Sequence, residues 1–148
     1  MRTIDVIRRS GVGIAPEQTV RQAATIMERS GVGALAVVDG SQLVGIVTDR
    51  DLVRRAMAEG LPDDARVDSI MSSPVVTISA GVDVHEAFAR FRTHGVRRLV
   101  VVRDGQFVGM LTIDDLMIDL ANDLADLARP VVAEVRQAHH DSAVPATR

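Results

Sequence analysis

The chain repeats itself. The stretch Gly45-Ile46-Val47-Thr48-Asp49-Arg50-Asp51-Leu52 returns as Gly109-Met110-Leu111-Thr112-Ile113-Asp114-Asp115-Leu116, displaced by 64 residues. The same shift aligns most of the chain without a gap. Ile14 meets Ile78, Val20 meets Val84, Ala23 meets Ala87, and Gly31-Val32 meets Gly95-Val96. Leu35, Val37 and Val38 meet Leu99, Val101 and Val102, and Val44-Gly45 meets Val108-Gly109. The matches are mostly apolar residues and glycines, the positions that set a core and its turns. A unit of this length cannot bury a sheet face alone, so the two copies are expected to pack on each other.

Each copy reads the same way along its length. A short strand, Gly11 to Ile14 or Val75 to Ile78, precedes a loop. Helices then begin at Thr19-Val20-Arg21-Gln22 and Asp83-Val84-His85-Glu86, each with a capping residue and a Gln or Glu three positions on. Val20, Ala23, Ala24 and Met27 recur at helical spacing, as do Val84, Ala87, Phe88 and Phe91. Gly31 and Gly95 suit helix C-termini. Apolar runs then flank Asp39-Gly40 and Asp104-Gly105, a hairpin signal. The last element is a helix, from Asp49 to about Glu59 before Gly60 and Pro62, and from Ile113 to about Arg129 before Pro130. The order is β-α-β-β-α, twice: an α/β (α+β) fold of two repeats related by a pseudo-two-fold. The expected organisation is repeat 1 over 1–60, a linker over 61–70, repeat 2 over 71–124, and a helical extension with a loose tail over 125–148.

The repeated Thr-x-x-Asp turn supports two readings. It is close to a capping box, in which Thr caps the helix and the acid reaches back. It also stands where a helix start exposes unpaired N–H groups and the positive end of a dipole, a natural anion site. Thr with N–H groups for phosphate, Asp for two vicinal hydroxyls and apolar neighbours for a base would make a nucleotide pocket.

Composition narrows the classes. The formal net charge is −3, with mixed signs along the chain, which argues against a nucleic-acid surface. Three Phe and no Trp or Tyr leave no stacking platform for single strands. Cysteine is absent, so disulfides and thiolate metal sites are excluded. No apolar run is long enough for a membrane span and the N-terminus has no signal-peptide core, so a cytoplasmic location is expected. His85 and His94 have no partner at ligand spacing, His139-His140 lies in a polar tail, and Asp114-Asp115 is better explained by capping than by magnesium. No catalytic motif and no metal site are expected.

With these residues in place, the unit resembles the cystathionine-β-synthase (CBS) domain, and two in tandem resemble a Bateman module over roughly residues 1 to 124. Met71-Ser72-Ser73-Pro74-Val75-Val76-Thr77-Ile78 looks like the usual start of such a domain, and Asp5-Val6-Ile7 a shorter version. The resemblance implies adenosine ligands, AMP, ADP or ATP, in clefts between the repeats, with no cofactor required. Thr48 and Asp51, and Thr112 and Asp115, would hold ribose and phosphate. Val12 and Val76 would contact adenine partly through backbone, and Ile46 and Met110 would line the base slot. Arg97 and Arg98 stand where related domains often carry a phosphate-binding cation; the first copy has Gly33-Ala34 there and offers only Arg50. The two clefts are therefore expected to differ, with phosphorylated ligands favoured by the Arg97/Arg98 cleft. Inosine monophosphate dehydrogenase also contains such pairs, but its barrel needs about 250 residues.

The resulting expectation is a non-catalytic, signal-transducing regulatory module that binds adenine nucleotides, pairs as a homodimer and acts on an effector protein. The alternative is a structural or protein-interaction scaffold with unoccupied clefts. Met117, Leu120, Leu124, Leu127 and Val131 follow a three-four spacing, which fits a seam between subunits or a face covering the chain's own sheet.

Overall fold

The computed structural model describes residues 2–6 and 11–141, so Ile7 and the tail beyond Asp141 lie outside the described residues. Among the described residues six strands form one sheet: β1 (Gly13–Ile14), β2 (Ala34–Asp39), β3 (Gln42–Thr48), β4 (Thr77–Ser79), β5 (Arg98–Arg103) and β6 (Gln106–Thr112). Their order is β1-β2-β3-β6-β5-β4, which reads the same from either end once the copies are exchanged. The outer pairs are parallel and the hairpins antiparallel. The two halves join where Gln42 pairs with Gln106.

The helices start and stop where their residues direct. Helix α1 (Val20–Ser30) opens on a complete capping box: Thr19 Oγ1 accepts from Gln22 N–H at 3.1 Å and Gln22 Oε1 accepts from Thr19 N–H at 2.9 Å. Helix α3 (Val84–His94) is capped by Asp83, which accepts from His85 N–H at 2.9 Å. Both close on a glycine in the left-handed region, Gly31 and Gly95. Both hairpins turn in two residues, yet differently. Gly40 alone has positive φ in the first, whereas Asp104 and Gly105 both do in the second, as a type I′ turn requires.

Four elements depart from the sequence expectation. β1 and β4 are shorter or later than expected, although Val12 and Val76 still accept from Ala36 N–H and Val100 N–H, both at 3.2 Å. The helix after Thr48 is α-helical only over α2 (Asp49–Asp51) and continues as a wide π-helix over Leu52–Met57. Helix α4 (Ile113–Asp141) passes through Pro130 instead of stopping there. Proline removes one i to i−4 bond and crowds the preceding turn. Here strong helical patterning on both sides, from Leu120 to Leu127 and from Val131 to Ala138, carries the helix past it.

Residues of the expected linker do more than connect. Val67–Ser69 forms a short 3-10 helix, and Val67 and Ile70 are buried in the first copy's core with Ile14, Leu35, Val37 and Val47. Val67 N–H donates to Gln18 O at 2.8 Å, and Arg66 bridges Thr19. Shifted by 64 residues, the same contacts recur with the copies exchanged. Thr3 N–H donates to Val82 O at 2.8 Å, and Arg2 bridges Asp83. Thr3 is fully buried, and its hydroxyl donates to Ser79 O at 2.7 Å. The lead-in of each copy therefore docks on the other copy.

The chain divides into two compact units, Met1–Ile113 and Asp114–Arg148. The first holds the whole sheet; the second holds α4 apart from its first residue.

Gly11 marks a tight approach between copies. A methyl group there would lie 2.7 Å from Gly109 Cα and closer still to Phe107 Cζ. Gly81 faces open space at an ordinary φ. Gly11→Ala is expected to lose about 1–3 kcal/mol through overpacking, and Gly81→Ala to lose nothing; paired denaturant titrations check both.

Candidate functional site

The sheet register sorts the predicted residues onto one face. Along the first hairpin Leu35 pairs with Val47 and Val37 with Gly45, and Leu35, Val37 and Val47 face the core shared with α1. Ala34 pairs with Thr48 and Ala36 with Ile46, so these four point to the opposite face. The second hairpin repeats this: Arg98 pairs with Thr112 and Val100 with Met110 on the face away from Leu99, Val101 and Leu111. Ala34 and Ala36 are small and buried, while Ile46, Met110, Val12 and Val76 are half-buried. The predicted base-contacting residues are thus apolar and partly open, with small neighbours, Ala34 and Ala36, in the first copy.

At the end of β3 the Thr-x-x-Asp turn forms a reciprocal cap. Thr48 Oγ1 accepts from Asp51 N–H at 3.1 Å, and Asp51 Oδ2 accepts from Thr48 N–H at 2.9 Å. The capping reading of this turn is therefore correct. It does not exhaust Asp51. A carboxylate has about four acceptor positions. Thr48 N–H uses one, and Arg55 Nε lies 3.7 Å from the other oxygen. The Asp51 side chain is 15% exposed, so it stays within reach of a ligand. Arg55 is held by carbonyls at the second copy's start, donating from Nη1 to Ile70 O at 3.2 Å and Met71 O at 3.5 Å. Ser72 then pairs both ways with Ile46, at 3.1 and 2.9 Å. Gly45 makes this possible, since a methyl group there would lie 2.5 Å from Met71 Sδ.

The cations fall differently from their sequence assignment. Arg98, expected to serve the second copy, extends to the first copy's turn. A methyl group on Gly33 would lie 3.3 Å from Arg98 Nη2 and 3.1 Å from Asp49 Oδ2. Gly33 O also accepts from Asp49 N–H at 2.9 Å, which fixes the helix start beside it. The position that lacks a charge in the first copy thus receives one from the second. Nothing in a linear reading of one copy signals this; it follows from the sheet bringing the copies edge to edge. Arg97 is exposed, and its carbonyl accepts from Ile113 N–H at 3.0 Å, the equivalent of the Gly33–Asp49 bond. Asp115 follows on the first turn of α4, in the second compact unit.

Arg50 lines a polar hollow of about 360 Å³ with Asp51, Arg54 and Arg55. A larger hollow of about 420 Å³, lined by Val20, Ala24, Leu52, Ala56 and Met57 among others, contains none of the predicted residues. His85 Nδ1 lies 2.6 Å from Asp83 Oδ1, and the backbone N–H of His85, then its ring, hold the Asp83 carboxyl below the usual aspartate range. No group of three or more potential metal ligands occurs among the described residues, and no described helix is long and apolar enough to cross a membrane.

The sequence profile described as CBS domain matches residues 4–58 and 67–122, most of the chain. The chain belongs to the CBS-domain family. The CBS domain-containing protein YhcV of Bacillus subtilis is 32% identical over 116 residues, covering 78% of this chain and 83% of YhcV. Inosine-5′-monophosphate dehydrogenase of Thermoplasma acidophilum is 32% identical over 113 residues, covering 76% of this chain but 22% of the dehydrogenase. The solved CBS domain protein of Pyrobaculum aerophilum, complexed with AMP, superposes with a TM-score of 0.72 at 31% identity, covering 82% of this chain and 99% of that one. The CBS pair is thus the substance of this chain, and the dehydrogenase match extends over only a small part of that enzyme.

Removing the Thr48 hydroxyl leaves the Asp51 N–H without its cap. Thr48→Ala is expected to cost about 1 kcal/mol, while Thr48→Ser keeps most of it; thermal unfolding of the two variants side by side checks this.

Proposed function

We propose that this CBS pair is a non-catalytic regulatory module that binds an adenine nucleotide, AMP, ADP or ATP, between its two repeats and passes the bound state to an effector protein. One observation carries the reading. Ala34, Ala36 and Ile46 share one sheet face with Thr48, which caps the turn of Asp51, and the guanidinium of Arg98 reaches Gly33 and Asp49 beside that turn. Each supplies a different part of a nucleotide's chemistry. Asp51 has acceptor capacity beyond its cap for two vicinal hydroxyls. Ile46 and Val12 offer apolar surface to a base, and Arg98 is suited to bidentate phosphate contact. The AMP complex of the Pyrobaculum relative supports the choice of ligand class.

In sequence, Val76, Met110, Thr112 and Asp115 repeat the pattern in the second copy, with Arg97 as its exposed cation and Arg50 as the cation inside the first turn. The two copies are not equivalent, because Arg98 attends the first. The first site is therefore the one proposed to favour phosphorylated ligands. No catalytic residue is assigned. Modules of this kind are proposed to pair as homodimers in the cytoplasm.

Two experiments test the reading. The chain has no Trp or Tyr, so a purified sample with an absorbance band near 260 nm would reveal carried-over nucleotide directly. Calorimetric titration with AMP, ADP and ATP then compares the wild type with Asp51→Asn. Asparagine keeps one oxygen for the Thr48 N–H but loses the second carboxylate oxygen and the charge. The expected result is an unchanged unfolding midpoint with affinity lower by roughly tenfold, about 1.4 kcal/mol. Equal affinity in both proteins would remove Asp51 from the site. No binding by the wild type would leave the scaffold reading standing.

A further inference from the structure

The stretch from Arg50 to Arg55 carries three arginines that the repeat does not require. Shifted by 64 residues, Arg50, Arg54 and Arg55 meet Asp114, Ile118 and Asp119. Asp51 and Leu52, by contrast, meet Asp115 and Leu116 unchanged. The second copy thus starts its last helix with no cation at any of the three positions, so the fold itself does not call for them. The backbone differs in the same place. Helix α4 begins as an ordinary α-helix, whereas Leu52–Met57 is a π-helix, with Ala58 N–H donating to Val53 O at 2.9 Å. Single π turns inside helices frequently mark functional sites.

The wide turn gathers the charges. At about 3.6 residues per turn, side chains five apart stand about 140° from each other round an α-helix. Bonds from i to i−5 put more residues in each turn, so side chains four and five apart both return to the side they left. Arg54 and Arg55 line one hollow of about 360 Å³ together with Arg50 and Asp51. Its charge is three guanidinium groups against one carboxylate. That carboxylate is already engaged: Asp51 Oδ2 accepts from Thr48 N–H at 2.9 Å, and Oδ1 lies 3.7 Å from Arg55 Nε. Arg55 is held in place by the carbonyls of Ile70 and Met71. The guanidinium groups of Arg50 and Arg54 have no ion-pair or hydrogen-bond partner among the described residues. Like charges four apart repel, an arrangement that an anion between them relieves.

We propose that this hollow binds a phosphoryl group, either of a free phosphate or pyrophosphate or of the terminal phosphates of a nucleotide. Arg presents a planar fork that matches phosphate geometry. Two uncommitted forks beside the anchored Arg55 suit a dianion, and the surplus of two positive charges in the hollow balances it. A water's share of liquid volume is about 30 Å³, so the hollow has room for a diphosphate and its waters. The site shares Asp51 and Arg50 with the proposed nucleotide site. It does not rest on that reading, because its donors and its charge stand whether or not a base lies beside Ile46.

Arg54 allows a test that leaves the Thr48–Asp51 cap untouched, since it is exposed and takes no part in that cap. Calorimetric titrations with inorganic pyrophosphate, AMP and ATP compare the wild type with Arg54→Gln, Arg54→Lys and Arg92→Gln, the last removing an exposed arginine of α3. Pyrophosphate affinity is expected to fall about tenfold in Arg54→Gln and to hold in Arg92→Gln, with unfolding midpoints unchanged. Arg54→Lys keeps the charge but not the fork, so it is expected to recover part of the loss. Pyrophosphate that still binds under saturating AMP identifies a free anion as the ligand. ATP weakened by Arg54→Gln, with AMP unaffected, identifies the nucleotide's own terminal phosphates. The proposal is overturned if neither pyrophosphate nor ATP distinguishes Arg54→Gln from Arg92→Gln. That result leaves the nucleotide reading intact where AMP binding depends on Asp51, and failure of AMP to bind leaves the pyrophosphate comparison in force.

Discussion

The structure depends on a pair of crossed hydrogen bonds. Val67 N–H reaches Gln18 O in the first copy, and Thr3 N–H reaches Val82 O in the second, both at 2.8 Å. Each lead-in thus completes the copy to which it does not belong. The direct join between the hairpins is narrow, a single paired position at Gln42 and Gln106. The crossed lead-ins, the Ser72–Ile46 bridge and the Gly11–Gly109 approach hold the two halves together along the rest of their length. A single copy cut out of the chain would expose the bed of its partner's lead-in, which for the first copy means the space filled by Val67 and Ile70. The repeat is a unit of sequence but not of stability.

Much of this was legible in the sequence because the 64-residue shift preserves burial. Ile14 and Ile78, Ala23 and Ala87, Leu35 and Leu99, Val37 and Val101, and Val47 and Leu111 are all buried. Capping chemistry located both α1 and α3 to the residue, since Thr19, Asp83, Gly31 and Gly95 act locally. The features that stayed hidden are non-local. Residues around Val67 look like a connection because their partners lie far away along the chain. The π-helical segment after Asp51 arises from i to i−5 bonds, such as Ala58 N–H to Val53 O at 2.9 Å, that no residue pattern marks. The run of α4 through Pro130 defeats a rule based on one residue, because the strength of the flanking pattern decides the outcome.

For the candidate site, the two readings of Thr-x-x-Asp turn out to be compatible. The cap consumes one acceptor position on Asp51 and fixes the carboxylate in place, which prepares its remaining positions for a ligand. A free aspartate on a mobile turn would lose conformational freedom on binding; one already held by Thr48 N–H loses less. The motif is thus structural and suited to binding for the same physical reason, and its repetition in sequence follows from either role. That is why the turn alone could not decide the function, and why the sheet face beside it matters more.

The placement of Arg98 is the feature that makes this geometry a switch on the proposed reading. Thr48 and Asp51 belong to the first copy and Arg98 to the second, yet Arg98 reaches Gly33 and Asp49, the residue that follows Thr48 in the turn. A phosphorylated ligand held by all three would contact both copies at once. Its binding free energy would then depend on how closely the copies approach, and it could shift their arrangement only by its differential affinity for one placement over another. A nucleoside without phosphate would engage the Asp51 turn alone and have little grip on the second copy. Discrimination between phosphorylated and unphosphorylated ligands, and transmission of the bound state, would therefore originate in a single cross-copy guanidinium.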